Sequence, residues 1–164
     1  MVDDVLNKYG EIVVAQLRDA IKAKPLPRRN GKSYVANASG NLERTLRFEV
    51  KDGVLRVYAN KYIGSLIFGR RPTSAGGTGI LKQRIRTWID DKGITPYGSI
   101  SKDSLAFVIA RKIHKEGTLL YPQGSDLLSA IVTPALIDEI KSEIFTEIIS
   151  DVFESFRTLQ NKAA

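Results

Sequence analysis

Hydrophobic and polar positions alternate along this chain in ways that predict distinct elements. In residues 3–24, Val5, Ile12, Val13, Leu17 and Ile21 recur at helical spacing, and Asp3 and Asp4 suit the positive end of that helix. Pro25 and Pro27 end it, and PRRNGK (27–32) reads as a basic turn-like loop. In TLRFEVKDGVLRVYAN (45–60) the period changes to two. Leu46, Phe48 and Val50 alternate with Arg47 and Glu49, Asp52-Gly53 supplies a two-residue turn, and Leu55, Val57 and Ala59 follow. Such a turn pairs Val50 with Leu55, Phe48 with Val57 and Leu46 with Ala59, putting all six on one face.

YIGSLIFGRRP (62–72) is a short apolar segment that breaks at Gly69, and TSAGGTG (73–79) is a small-residue, flexible loop. Residues 80–92 return to helical spacing, with Ile80, Leu81, Ile85, Trp88 and Ile89 on one side and Gly93 as its exit. Another helix is predicted over 101–116 with Ser101 as N-cap, followed by a loop over 116–126. A last helix starts at Thr133-Pro134 and runs to about Leu159, with Ile137, Ile140, Ile144, Ile148, Val152, Phe156 and Leu159 in step. The pattern is α+β: a small antiparallel sheet, built on the hairpin 45–60, packed with helices. It forms a single domain over 1–164, with an N-terminal helix (3–24), a β-rich and loop core (33–79), a helical part (80–130) and a long C-terminal helix (133–160).

Composition narrows the chemistry. The chain has 164 residues, 43% hydrophobic and 26% charged, the balance of an ordinary globular domain. Without cysteine it has no disulfide, thiolate nucleophile or Cys-based zinc site. No apolar run reaches the roughly 18–20 residues that span a bilayer, and MVDDVLNKYG lacks the basic-then-apolar order of a secretory signal. The net charge of +7 is unevenly spread. Residues 1–115 carry 22 Lys+Arg against 10 Asp+Glu, and residues 116–164 carry 3 against 8. A basic body with an acidic tail suits nucleic acid, or copies of itself bound head to tail.

Candidate sites point away from catalysis. His114, the single histidine, stands among Arg111, Lys112, Lys115 and Glu116, where three cations disfavour both a charged imidazole and a metal. SAGGTG, with Gly76 and Gly77, precedes a helix, but neither it nor GKS (31–33) has the spacing of a nucleotide loop. Asp90 and Asp91 are adjacent on a helix, so they do not face each other as an acid/base pair. Three basic clusters stand out: Arg28, Arg29 and Lys32; Arg70 and Arg71; Lys82, Arg84 and Arg86. They suit phosphates, an acidic protein surface or plain solvation. Glu139, Glu143, Glu147 and Asp151, spaced by four, form an acidic ridge. It is either a solvated face or the surface that meets a neighbour's basic body.

The order of segments resembles the tail-completion and head–tail connector proteins of tailed bacteriophages. The residues that carry the resemblance are Ser39, Gly40 and Leu42 leading into a strand pair, then Tyr62 with the Phe68-Gly69 ending. IRTWIDDKGI (85–94) and LAFVIARKIHKEGT (105–118) also look like neck and minor tail proteins, so the likeness covers about residues 37–130. The chain departs from the pattern where YPQGSD and TPALIDEI replace a proline-aromatic segment before the last helix.

The resemblance implies a structural protein, not an enzyme, without cofactor or metal. It would be made in the bacterial host cytoplasm and end in the virion. It would form a homo-oligomeric ring, sixfold or twelvefold, touching neck, portal-side or other tail proteins, with transient DNA contact and no membrane. Sheet loops would face the adjoining ring or the channel, and the 73–79 loop would order only beside a neighbour. The rivals are a basic nucleic-acid-binding protein and, below it, an enzyme built on carboxylates.

Overall fold

The computed structural model describes residues 2–28, 30–36, 38–73 and 79–163. The fold is α+β, with two small antiparallel sheets and a long C-terminal helix. Its centre is α1 (Val2–Ala23), whose Val5, Tyr9, Val13, Val14, Leu17 and Ile21 are buried. Ile12 sits half-buried at the edge of that stripe. Val13, Val14, Leu17 and Ile21 join Leu26, Leu42, Leu46, Leu120 and Leu127 in one apolar cluster. Each fully buried Leu or Ile there contributes about 1.5–3 kcal/mol. This cluster draws residues from both halves of the chain, and so joins them.

Pro25 and Pro27 end α1, as the sequence predicts, but the chain then forms strands. β1 (Pro25–Pro27) pairs with β2 (Ser33–Val35), so PRRNGK holds the turn of a short hairpin. Proline is tolerated here because a two-stranded sheet leaves every strand an open edge. Between the prolines, Leu26 turns into the core. A short α2 (Asn41–Thr45) follows and buries Leu42.

The hairpin comes next, as β3 (Arg47–Lys51) and β4 (Val54–Tyr58). Phe48 pairs with Val57 and Val50 with Leu55, the predicted register. Asp52 and Gly53 both have positive φ, 54° and 71°, the mirror-image turn that matches strand twist. One hairpin face lies on α1, where Phe48 rests over Gly10, and any side chain at Gly10 would strike that ring. On the opposite face, Arg47 stacks over Tyr58 at 5.2 Å.

The helical part is a second layer. α3 (Ile63–Ile67) forms within the apolar segment, too short to show a period in the sequence. α4 (Ile80–Asp91) and α5 (Lys102–Glu116) pack as a pair, with Ile89, Ala106 and Ala110 buried. Beyond α4, Gly93 N–H bonds the Asp90 carbonyl and Ile94 N–H that of Ile89, satisfying the carbonyls of the last turn. Ser101 caps α5 by accepting from Ser104 N–H at 3.1 Å, and Thr133 caps the last helix by accepting from Leu136 N–H at 3.2 Å. That helix, α6 (Pro134–Ala163), has 30 residues and is about 45 Å long.

Tyr9 lies where α1 meets α6. Its ring is buried, and its hydroxyl makes no well-aligned hydrogen bond. Burial, with the nearby carboxylates of Glu139 and Glu143, raises its pKa above the usual phenol value. A buried hydroxyl without a partner stabilises little. Tyr9→Phe is therefore expected to leave the unfolding free energy unchanged or raise it by up to about 1 kcal/mol in urea melts. A loss of stability would instead show the hydroxyl bonded to Glu139 or Glu143.

Candidate functional site

The Phe68-Gly69 motif is locked into the fold by the loop after α5. Ser125 donates from its N–H to Ile67 O at 2.8 Å and from its hydroxyl to Leu66 O at 2.6 Å. Arg70 N–H donates to Thr118 Oγ1, and Thr118 N–H to Arg70 O, both at 2.9 Å. The two segments run so close that a Cβ on Gly69 would lie 2.6 Å from Tyr121 N, and one on Gly117 2.5 Å from Arg70 O. The interlock leaves Phe68 exposed, beside Lys61, Arg70 and Arg71 in a shallow depression.

His114 lies at the same junction. His114 sits in the last turn of α5, half-buried. Its carbonyl accepts Thr73 N–H at 2.9 Å, and its Nδ1 lies 2.5 Å from Thr73 Oγ1. It therefore tethers the end of the 62–73 segment to α5. Asp90 is likewise engaged: it meets Lys102 at 2.7 Å and also Arg86, clipping α4 to α5. Among the described residues, no group of three or more His, Cys, Asp or Glu is placed to hold a metal. No described helix is long and apolar enough to cross a membrane.

The terminal helix presents two different faces. Its first half packs on α1 through half-buried Leu136, Ile140 and Ile144. The acidic ridge lies toward this side. Glu143 pairs with Lys8 at 2.6 Å, so part of the ridge works inside the subunit. Glu139 and Asp151 are exposed, and Glu147 is half-buried. The opposite face is apolar and open to water. Phe145 is 66% exposed, Val152 44%, Phe156 60% and Leu159 63%. Residues 148–160 are exposed throughout, and Ile148, Val152, Phe156 and Leu159 form a shallow groove with Asp151 at its edge.

A second apolar feature lies on the body. A cavity of about 410 Å³ opens between the β1–β2 turn, the α4–α5 pair and residues 117–120. Ile85, Trp88, Ile113 and Leu119 line it, together with Arg28 and Lys112. Arg28 stacks over Tyr34 at 4.0 Å, which fixes the guanidinium at the cavity.

The predicted basic clusters thus divide. Arg28 belongs to the cavity, and Arg86 is spent on Asp90 and, at 3.8 Å, Asp103. Lys32, Arg71 and Arg84 are exposed, and Arg70 and Lys82 half-buried. Arg29, Gly76 and Gly77 lie outside the described residues, as does the predicted ordering of 74–78 beside a neighbour. Sequence reasoning missed the cavity residues Trp88, Ile113 and Leu119 as a group, because three separate segments bring them together. It also missed Lys8 as the partner of Glu143, 135 residues away.

Three carboxylates join these layers: Glu143 beside Lys8, Asp126 beside Lys24 and Asp90 beside Lys102 and Arg86. A hydrogen bond from the lysine is the main cause that holds each below the usual carboxylate pKa. Their stabilisation is complete above the unfolded pKa, near about 4, and lost as pH falls through the folded value. The thermal midpoint is expected to be flat from about pH 6 to 5 and to fall progressively below about pH 4. A midpoint unchanged down to about pH 2.5 would show that the three pairs contribute nothing.

With the geometry in view, comparison adds no relative: no family model, no curated protein and no solved structure matches this chain.

Proposed function

We propose that this chain is a structural virion protein of a tailed bacteriophage. It forms a ring at the head–tail junction or tail end and joins adjacent rings by protein–protein contacts. The observation that carries this reading is the open face of α6. Phe145, Val152, Phe156 and Leu159 lie along one side of a helix that is otherwise anchored to α1. A contiguous apolar stripe left in water marks a surface that another protein covers. The segment order around Ser39, Gly40, Leu42, Tyr62, Phe68 and Gly69, similar to connector proteins, supplies the kind of assembly. In this reading the interlock at Gly69 holds Phe68 and its cations rigidly toward an adjoining ring.

Imaging of the concentrated protein tests the proposal. Closed rings with a central channel are the expected particles; open filaments or disordered aggregates would contradict it. A DNA titration separates the nucleic-acid rival. Tight binding by the monomer that collapses between about 50 and 200 mM salt would favour that rival. Arg86, paired with Asp90 and near Asp103, is less available to phosphate than the sequence suggests.

A further inference from the structure

We infer that the exposed stripe of α6 seats in the apolar cavity of the next copy of this chain. The assignment rests on the ring reading and names the two faces of its subunit contact. Each face has what the other lacks. The stripe offers Ile148, Val152, Phe156 and Leu159 on one side of a rigid helix, with Asp151 beside them. The cavity offers Ile85, Trp88, Ile113 and Leu119, with Arg28 and Lys112 among its lining residues. Apolar anchors of a helix entering an apolar recess is a common mode of recognition. About 410 Å³ is of the size that takes a few side chains.

Charge selects the partner. Asp151 is exposed at the edge of the groove, while Arg28 and Lys112 carry positive charge at the cavity; Glu154 is paired with Arg157 on its own helix. The Asp151 carboxylate beside the stripe thus favours the cations at the recess over the same carboxylate on the stripe of another copy. Within its own subunit the stripe is exposed, so the stripe that fills the cavity belongs to another copy. Donor and acceptor are different surfaces, which makes the contact heterologous. Such a contact propagates around a ring when its rotation closes.

The absence of cysteine makes the test clean. Two versions of the full chain, distinguishable by mass, are mixed at high concentration under mild oxidation. One carries Ser155→Cys, in the groove but not one of its apolar anchors, the other Leu119→Cys. A parallel mixture uses Asn30→Cys, an exposed position at the cavity that is neither one of its apolar residues nor one of its cations. A third uses Arg56→Cys on the hairpin as control.

The mixed disulfide is expected with Leu119→Cys or Asn30→Cys at no less than about tenfold the control yield, because docking raises the local thiol concentration. Yield equal to control in both mixtures overturns the inference. Oligomer mass, measured on the same samples before oxidation, separates the two levels. Oligomers without the disulfide overturn the docking while leaving the ring reading in place; monomers without it overturn both. A constant extra mass on the native chain that shields the Leu119→Cys thiol would identify a small apolar ligand as the occupant, and would also overturn it.

Discussion

Gly69→Ala is expected to lower the unfolding free energy by about 2–5 kcal/mol. Two terms add. Gly69 has φ of 71°, a left-handed conformation that costs an L-residue about 1–2 kcal/mol. The new Cβ would also meet Tyr121 N at 2.6 Å, Tyr121 Cα at 2.7 Å and Leu120 C at 2.8 Å. These are backbone atoms and cannot rotate away, so the chain must shift, at about 1–3 kcal/mol for such overpacking. Gly53→Ala separates the terms. Gly53 has the same φ of 71° but nothing within 4 Å, so only the conformational cost remains. Urea melts of both variants give the comparison. Equal losses at the two positions would show that the interlock tolerates a side chain.

Val152→Glu combined with Phe156→Glu is expected to abolish assembly while leaving the subunit folded. Both side chains are exposed, so the thermal midpoint of the monomer should stay within about 0.5 kcal/mol equivalent of the parent. A central apolar anchor at an interface is worth about 2 kcal/mol or more, roughly thirtyfold in affinity each. The concentration needed for half-assembly should therefore rise by about a thousandfold, allowing for additivity. Unchanged assembly would show that the stripe is not the contact. A fall in monomer stability would show that it is packed within the subunit.

Much of the fold is written in local pattern. The period-two run with Asp52-Gly53 sets the hairpin register, because a two-residue turn leaves one pairing that keeps Phe48, Val50, Leu55 and Val57 together. Ser101 and Thr133 mark helix starts because their side chains satisfy free N–H groups wherever the helix packs. The short elements are illegible for the opposite reason. β1 contains two prolines, and α3 spans five residues, fewer than two turns, so neither shows a period. Tertiary contacts decide both.

The candidate site divides along the same line. Spacing alone places Ile148, Val152, Phe156 and Leu159 on one face of α6, but not whether that face is buried. Exposure follows from α1, which covers Ile140 and Ile144 but leaves residues 148–160 open. The acidic ridge shows the cost of reading charge without a partner. Glu143 looks available to a neighbour until Lys8 is brought to 2.6 Å by folding. The Phe68-Gly69 ending reads as a break in an apolar run. Its reason, backbone atoms of Tyr121 against the Gly69 Cα, lies some fifty residues away and is a matter of packing alone.

Assembly through unlike surfaces is read out by the mass of the purified protein across concentration and salt. A single discrete oligomer, a closed ring of fixed number, is expected to form as concentration rises. Its apolar contact should persist at about 1 M salt, while its formation slows as the steering charges are screened. A protein that stays monomeric at every concentration and salt would rule out ring assembly, as would a continuous ladder of masses without a closed species.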